Sequence, residues 1–185
     1  TGDIVGLIHA GDTLYNSGIV TKIAEHFMMN EIDIMYGHSI ILNNRSIPVR
    51  INKSPEFKKK LVRRGWMPSH QSIYVKRNIL EKFGYYKVEL HPSADYEFFL
   101  RYFYFNDFKI KRLNESIICF YTGGRSTRNY LNNLKVQKIQ KNHWKLHGEK
   151  APFYLVPLKI IRKIKQFSTA SWYRLIKKNV NEFYI

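Results

Sequence analysis

Four short stretches carry residue types that can do chemistry. The first is His9-Ala10-Gly11-Asp12, directly after the branched run Ile4-Val5-Gly6-Leu7-Ile8. Open α/β sheets bind ligands beyond the carboxyl ends of their strands. An aspartate there can hold a divalent cation, which neutralises a diphosphate. The same aspartate can simply close a turn. The second is Ala94-Asp95-Tyr96-Glu97-Phe98-Phe99-Leu100-Arg101. A carboxylate among aromatic rings can serve as a base. An aspartate in a first helical turn is also favoured by the helix dipole alone. The third is Ser69-His70-Gln71, where a histidine before a strand can bind phosphate or metal, hydrogen-bond a hydroxyl, or only make a turn. The fourth is Gly123-Gly124-Arg125-Ser126, whose amides and guanidinium suit an anion such as diphosphate, although a Gly-Gly pair also makes a plain loop. H-E-x-x-H, Walker-type and G-x-S-x-G patterns are missing. The single cysteine, Cys119, excludes an intramolecular disulfide framework and a Cys-rich zinc site.

These residues need a scaffold. Short β-rich runs predict strands over 4–8, 32–37, 72–75, 110–113 and 116–121. Residues 40–42 and 47–51 flank Asn43-Asn44 and predict a hairpin. A helix is expected after Ser17 as its cap, with Ile19, Ile23 and Phe27 on one face. Further helices are expected over 76–83, closed by Gly84, and over 128–147. The helix over 94–105 is apolar nearly all round, so it should be buried. Residues 52–68 read as irregular. Alternating strands and helices define an α/β class. The chain begins with Thr1, almost inside a strand, and lacks a signal-peptide pattern. A fragment or processed chain with a cytosolic home is expected.

The 185 residues are 44% hydrophobic, enough for a core, yet hold no run of 18 apolar residues that would make an ordinary transmembrane helix. The net charge is +17, and it is uneven: residues 125–185 hold 14 basic and 2 acidic side chains. Phospholipid headgroups and phosphate-bearing substrates are the natural partners, and a solvated lysine-rich surface is the plainer reading. Specific nucleic-acid binding is not expected, because no such motif occurs. Leu158, Ile161, Ile164 and Phe167 recur at helical spacing, with Lys159, Arg162, Lys163 and Lys165 between them. Trp172, Leu175, Ile176 and Phe183 continue the stripe beside Arg174, Lys177 and Lys178. That pattern suits an anionic membrane surface, or a helix packed on the domain with its charges outward.

In order and spacing, five segments resemble family 2 glycosyltransferases with the GT-A fold, of the type that builds bacterial surface polysaccharides. They are Thr1–Asp12, Ile32–Gly37, His70-Gln71-Ser72, Ala94–Arg101 and Gly123–Ser126. The resemblance covers residues 1 to about 145. It implies a partial GT-A sheet, Rossmann-like and mixed, flanked by helices. Residues 1–147 would be the later part of the catalytic domain, without the opening segment that holds the nucleotide base, and 148–185 a basic amphipathic helical tail. Asp12 falls on the last aspartate of the family's metal motif and would bind Mn²⁺ or Mg²⁺. Gly11 lies where many members carry another aspartate, and His9 where Asn or Asp is usual. Asp95 falls on the catalytic base. Gly124 and Arg125 would close over the donor, and His70 and Gln71 would line the acceptor or diphosphate side. The implied function is inverting transfer of a sugar from a nucleotide-sugar donor to a glycan or lipid-linked acceptor, in the cytoplasm and at the inner face of the plasma membrane. The other reading is a non-catalytic remnant that binds a membrane surface.

Overall fold

The computed structural model describes residues 2–121, 130–162 and 164. Among these the chain is α/β, with one mixed sheet covered by helices. Its central strand is β3, Ile34–Leu42, buried at every position. A near-continuous run of Ile, Met, Tyr and Leu is what a strand covered on both faces requires. The strands β1 (Ile4–Gly6), β2 (Thr13–Leu14), β5 (Ile73–Lys76) and β6 (Ile110–Tyr121) complete the order β1-β5-β3-β6-β2, and β4 (Pro48–Asn52) pairs with β3. Among the described residues, only β3 and β6 run parallel.

Successive residues of β3 serve opposite layers, as strand geometry dictates. Met35 packs with Ile19, Ile23 and Phe27 of α1 (Ile19–Met29) and with Ile117 and Ile118. Ile34 and Tyr36 join the larger core, built on Phe98, Phe99, Tyr102 and Phe103 of α4 (Ala94–Phe103). The expected all-round burial of this helix holds, since every residue from Tyr96 to Phe103 is buried. Helix α5 (Tyr130–Leu146) sends Trp144 into the same core, and its indole donates to the Tyr96 hydroxyl at 3.0 Å.

The strand expected over 4–8 ends at Gly6, and the two-residue β2 lies outside the expected strands. The structure differs from the sequence-based elements in four further places. The strands expected over 32–37 and 40–42 form one strand. The polar His38 and Ser39 between them are buried but satisfied: Ser54 N donates to His38 Nδ1 at 3.1 Å, and the Ser39 and Ser69 hydroxyls lie 2.5 Å apart. Likewise 110–113 and 116–121 merge into β6, with the register shifting where Gly37 opposes it. The stretch 52–68 contains α2 (Lys59–Arg63). Ser17 does not cap α1; Gly18 is the cap residue, and Asn16 Oδ1 accepts its N–H at 3.1 Å.

The chain beyond α5 returns to the core. Residues 155–162 are helical and Leu155 is buried. Gly65, at φ +77°, lets this segment approach, because a Cβ there would meet Leu155 O at 2.9 Å and Lys159 Cγ at 2.6 Å. Among the described residues no helix is long and apolar enough to cross a membrane.

Helix α4 is fixed by a fully buried carboxylate. Glu97 Oε1 lies 3.0 Å from Arg101 Nε and 3.2 Å from both Lys87 Nζ and His147 Nε2. Burial pushes the Glu97 pKa up, but the Arg101 and Lys87 cations outweigh this and hold it below the usual carboxylate range. Arg101 also donates to the carbonyls of Phe83, Gly84 and Tyr85, tying down the segment after α3 (Arg77–Phe83). Removing one partner strands the other charge. Arg101→Met and Glu97→Gln should each destabilise by about 3–5 kcal/mol, and the double variant by clearly less than the sum. Urea unfolding of the three variants measures this, and additive losses would refute the coupling.

Candidate functional site

The site is assembled from two turns and the first turn of helix α4. After β1 the chain turns back at His9–Asp12. Asp12 N donates to His9 O at 3.0 Å and His9 N donates to Asp12 Oδ2 at 3.3 Å, so the aspartate closes its own turn. Gly11 sits in this turn at φ +89°, with open space around its Cα.

His70 opens a short 3₁₀ turn, His70–Ser72, that leads into β5. The turn hangs on the centre of the sheet. Ser72 Oγ donates to Ser69 O at 2.7 Å and lies 3.2 Å from Gly37 O of β3. The Ser69 hydroxyl meets Ser39 of the same strand, and Asn52 Nδ2 donates to it at 3.3 Å. The result places His70 Nε2 2.7 Å from His9 Nε2. On its other side His70 Nδ1 lies 3.8 Å from Asp95 Oδ2.

Asp95 is the second residue of α4, whose cap residue is Ser93. Its Oδ1 accepts the Tyr96 N–H at 2.8 Å, which orients the carboxylate. Burial lowers the His70 pKa; the Asp95 and Asp12 carboxylates oppose that shift and His9 adds to it. A neutral His70 can accept from His9 at Nε2 and turn its Nδ1–H toward Asp95, which lies just beyond hydrogen-bond distance.

Behind Asp95 lies a residue that motif reading did not select. Lys159 Nζ sits 3.9 Å from the centroid of the Tyr96 ring and donates to Gln140 Oε1 at 2.7 Å. Burial lowers its pKa to about 8, against the pull of Asp95. The sequence-based reading put Lys159 among surface charges. The clue it passed over is that Leu155, Lys159 and Arg162 share one helical face.

The structure thus brings Asp12, His70 and Asp95 into one cluster, with His9 as the contact between the first two. Gln71 is buried inside the 3₁₀ turn rather than exposed beside His70. Gly124 and Arg125 lie outside the described residues. Two surface depressions of about 300 Å³, at Asn43–Ile47 and around His38 and Asn114, are lined by none of these residues.

Among the described residues no three His, Cys, Asp or Glu side chains are grouped to hold a metal. Mg²⁺ and Mn²⁺ sites that bind phosphate often use only one or two carboxylates, with phosphate oxygens and water as the other ligands. The partly exposed carboxylate of Asp12 fits that lighter demand.

No protein-family model matches the chain, and no curated protein matches it.

The desolvated Lys159 has a measurable consequence. Unfolded, a lysine keeps its proton to about pH 10.4; folded, this one releases it near pH 8. Between those values the unfolded chain binds more protons, so stability rises with pH. Between pH 7.5 and 9.5 the chain should gain about 2 kcal/mol relative to Lys159→Met. The comparison cancels the buried tyrosines, whose phenols burial pushes up. Parallel stability–pH curves for the two proteins would contradict the burial.

Proposed function

We propose that this chain carries the acceptor-activating and diphosphate-facing part of an inverting glycosyltransferase of the family 2, GT-A type. The donor is a nucleotide sugar and the acceptor a glycan or lipid-linked hydroxyl, in surface-polysaccharide synthesis on the cytoplasmic side of the membrane. One observation carries the reading. Asp12, His70 and Asp95, far apart in sequence, meet with His9–His70 at 2.7 Å and His70–Asp95 at 3.8 Å. The family resemblance picks out the same three residues independently of that geometry.

The roles follow from position. Asp95 takes the proton from the acceptor hydroxyl as its oxygen attacks the anomeric carbon. The bond from that carbon to the diphosphate oxygen breaks, and its electron pair leaves with the diphosphate. A Mn²⁺ or Mg²⁺ ion held by Asp12 would supply positive charge against the diphosphate. His70, neutral and placed between the Asp12 loop and Asp95, turns its Nδ1 toward the carboxylate while its Nε2 is engaged by His9, so its single N–H serves Asp95. The Tyr96 N–H fixes one oxygen of Asp95, leaving Oδ2 on the His70 side.

Calorimetric titration with UDP and Mn²⁺ separates the two aspartates. Asp12→Ala should abolish binding. Asp95→Asn should bind normally, yet slow sugar transfer from a panel of UDP-sugars by about 10²–10⁴-fold, the usual contribution of a positioned base. Unchanged binding in Asp12→Ala, or full transfer by Asp95→Asn, would end the assignment.

A further inference from the structure

The segment over 155–162 packs on the domain with its charges inward, the reverse of the packed reading, and leaves its apolar stripe exposed as the membrane reading requires. Residues 157, 160, 161 and 164 recur at three-, four- and seven-residue intervals, which places them on one helical face, and Phe153 stands in the turn just before the helix. The face and this turn are exposed: Phe153 by 88%, Ile160 by 42%, Ile161 by 50% and Ile164 by 63%. The opposite face carries Leu155, Lys159 and Arg162. It packs inward against Gly65, Tyr96 and the Arg64 carbonyl, to which Arg162 Nη2 donates at 3.4 Å. Two cations therefore point into the domain and three isoleucines point away from it. Neighbouring exposed apolar side chains of this size mark a surface that meets something.

Charge decides between the partners. The chain carries +17, and the part that includes this face, residues 125–185, has 14 basic against 2 acidic side chains. Lys141, Lys145 and Lys150 are exposed nearby in sequence. A second copy would bring the same excess of positive charge and be repelled. An anionic bilayer offers both terms at once: apolar depth for the isoleucines and phenylalanine, and negative charge for the lysines.

We propose that Phe153, Ile160, Ile161 and Ile164 form the apolar contact of this chain with an anionic phospholipid membrane. The inference stands apart from the catalytic reading, since it uses none of the site residues and its test measures no transfer.

The test is sedimentation of the full chain with phosphatidylglycerol–phosphatidylcholine vesicles at low salt. The wild type should bind these and not pure phosphatidylcholine vesicles. The triple variant Ile160→Ser, Ile161→Ser, Ile164→Ser should lose at least tenfold in affinity. Its circular dichroism and melting temperature should stay unchanged, because all three side chains are exposed. A control variant, Met28→Ser with Met29→Ser, alters two exposed residues of α1 and should bind as wild type. The proposal fails if the triple variant binds normally, if the control loses as much, or if sedimentation without vesicles shows a dimer that the triple variant abolishes.

Discussion

The fold depends on how closely β3 and β6 approach at Gly37. A Cβ at this position would lie 2.5 Å from Ile117 Cδ1 and 2.9 Å from Glu115 O, so no other residue leaves room for β6. The register of the parallel pair shifts at this point, between Tyr36 and His38 and again at Ser39. The Gly37 carbonyl is equally occupied. It accepts from Ser54 Oγ at 2.8 Å and sits 3.2 Å from Ser72 Oγ. One glycine thus seats the parallel strand on one side and anchors the loops carrying Ser54 and His70. The position of His70 follows from a contact in the middle of the sheet, where close packing resists displacement.

The second organising element is α4. Its first turn holds Asp95 toward solvent, and two residues on, on the opposite side of the same turn, Glu97 is sealed in the core with Arg101. An ion pair of this kind is costly to desolvate and contributes little net stability. Its effect is geometric. Arg101 also collects three backbone carbonyls from residues 83–85, and Glu97 collects Lys87 and His147. These bonds fix the rotation of α4, and the rotation decides where Asp95 points. Apolar packing of Phe98, Phe99 and Phe103 buries the helix, but stacked rings alone would tolerate small turns about its axis.

Much of this was readable in the residues. The α/β alternation, the α1 face at Ile19, Ile23 and Phe27, and the buried aromatic helix follow from period and composition. The motif residues Asp12, His70 and Asp95 were legible as separate candidates; their convergence required the three-dimensional fold. What stayed hidden was hidden for physical reasons. The break expected between 37 and 40 came from polar residues that are buried with partners, and hydropathy treats such residues as exposed. The short strand β2 has only two residues and exists because Cys119 and Ile118 pair with it. Lys159 was assigned outward because a lysine usually is. The Tyr96 ring and the missing side chain at Gly65 reverse that rule.

The inversion of the last described helix follows from the same contacts. Successive residues turn by about 100° around a helix axis, so Lys159 and its neighbours Ile160 and Ile161 cannot all face inward. Turning the helix to bury the isoleucines would draw Lys159 away from Tyr96 and Gln140. It would also present a branched Cβ to the backbone at Gly65, where Leu155 O and Lys159 Cγ already mark the limit of approach. The flexible, unbranched stem of lysine is the shape that fits beside that glycine, with its ammonium carried on to the aromatic ring. The exposed isoleucine face is therefore the geometric counterpart of the inward lysine. One helix links the interior beside Asp95 to the surface that carries the apolar patch.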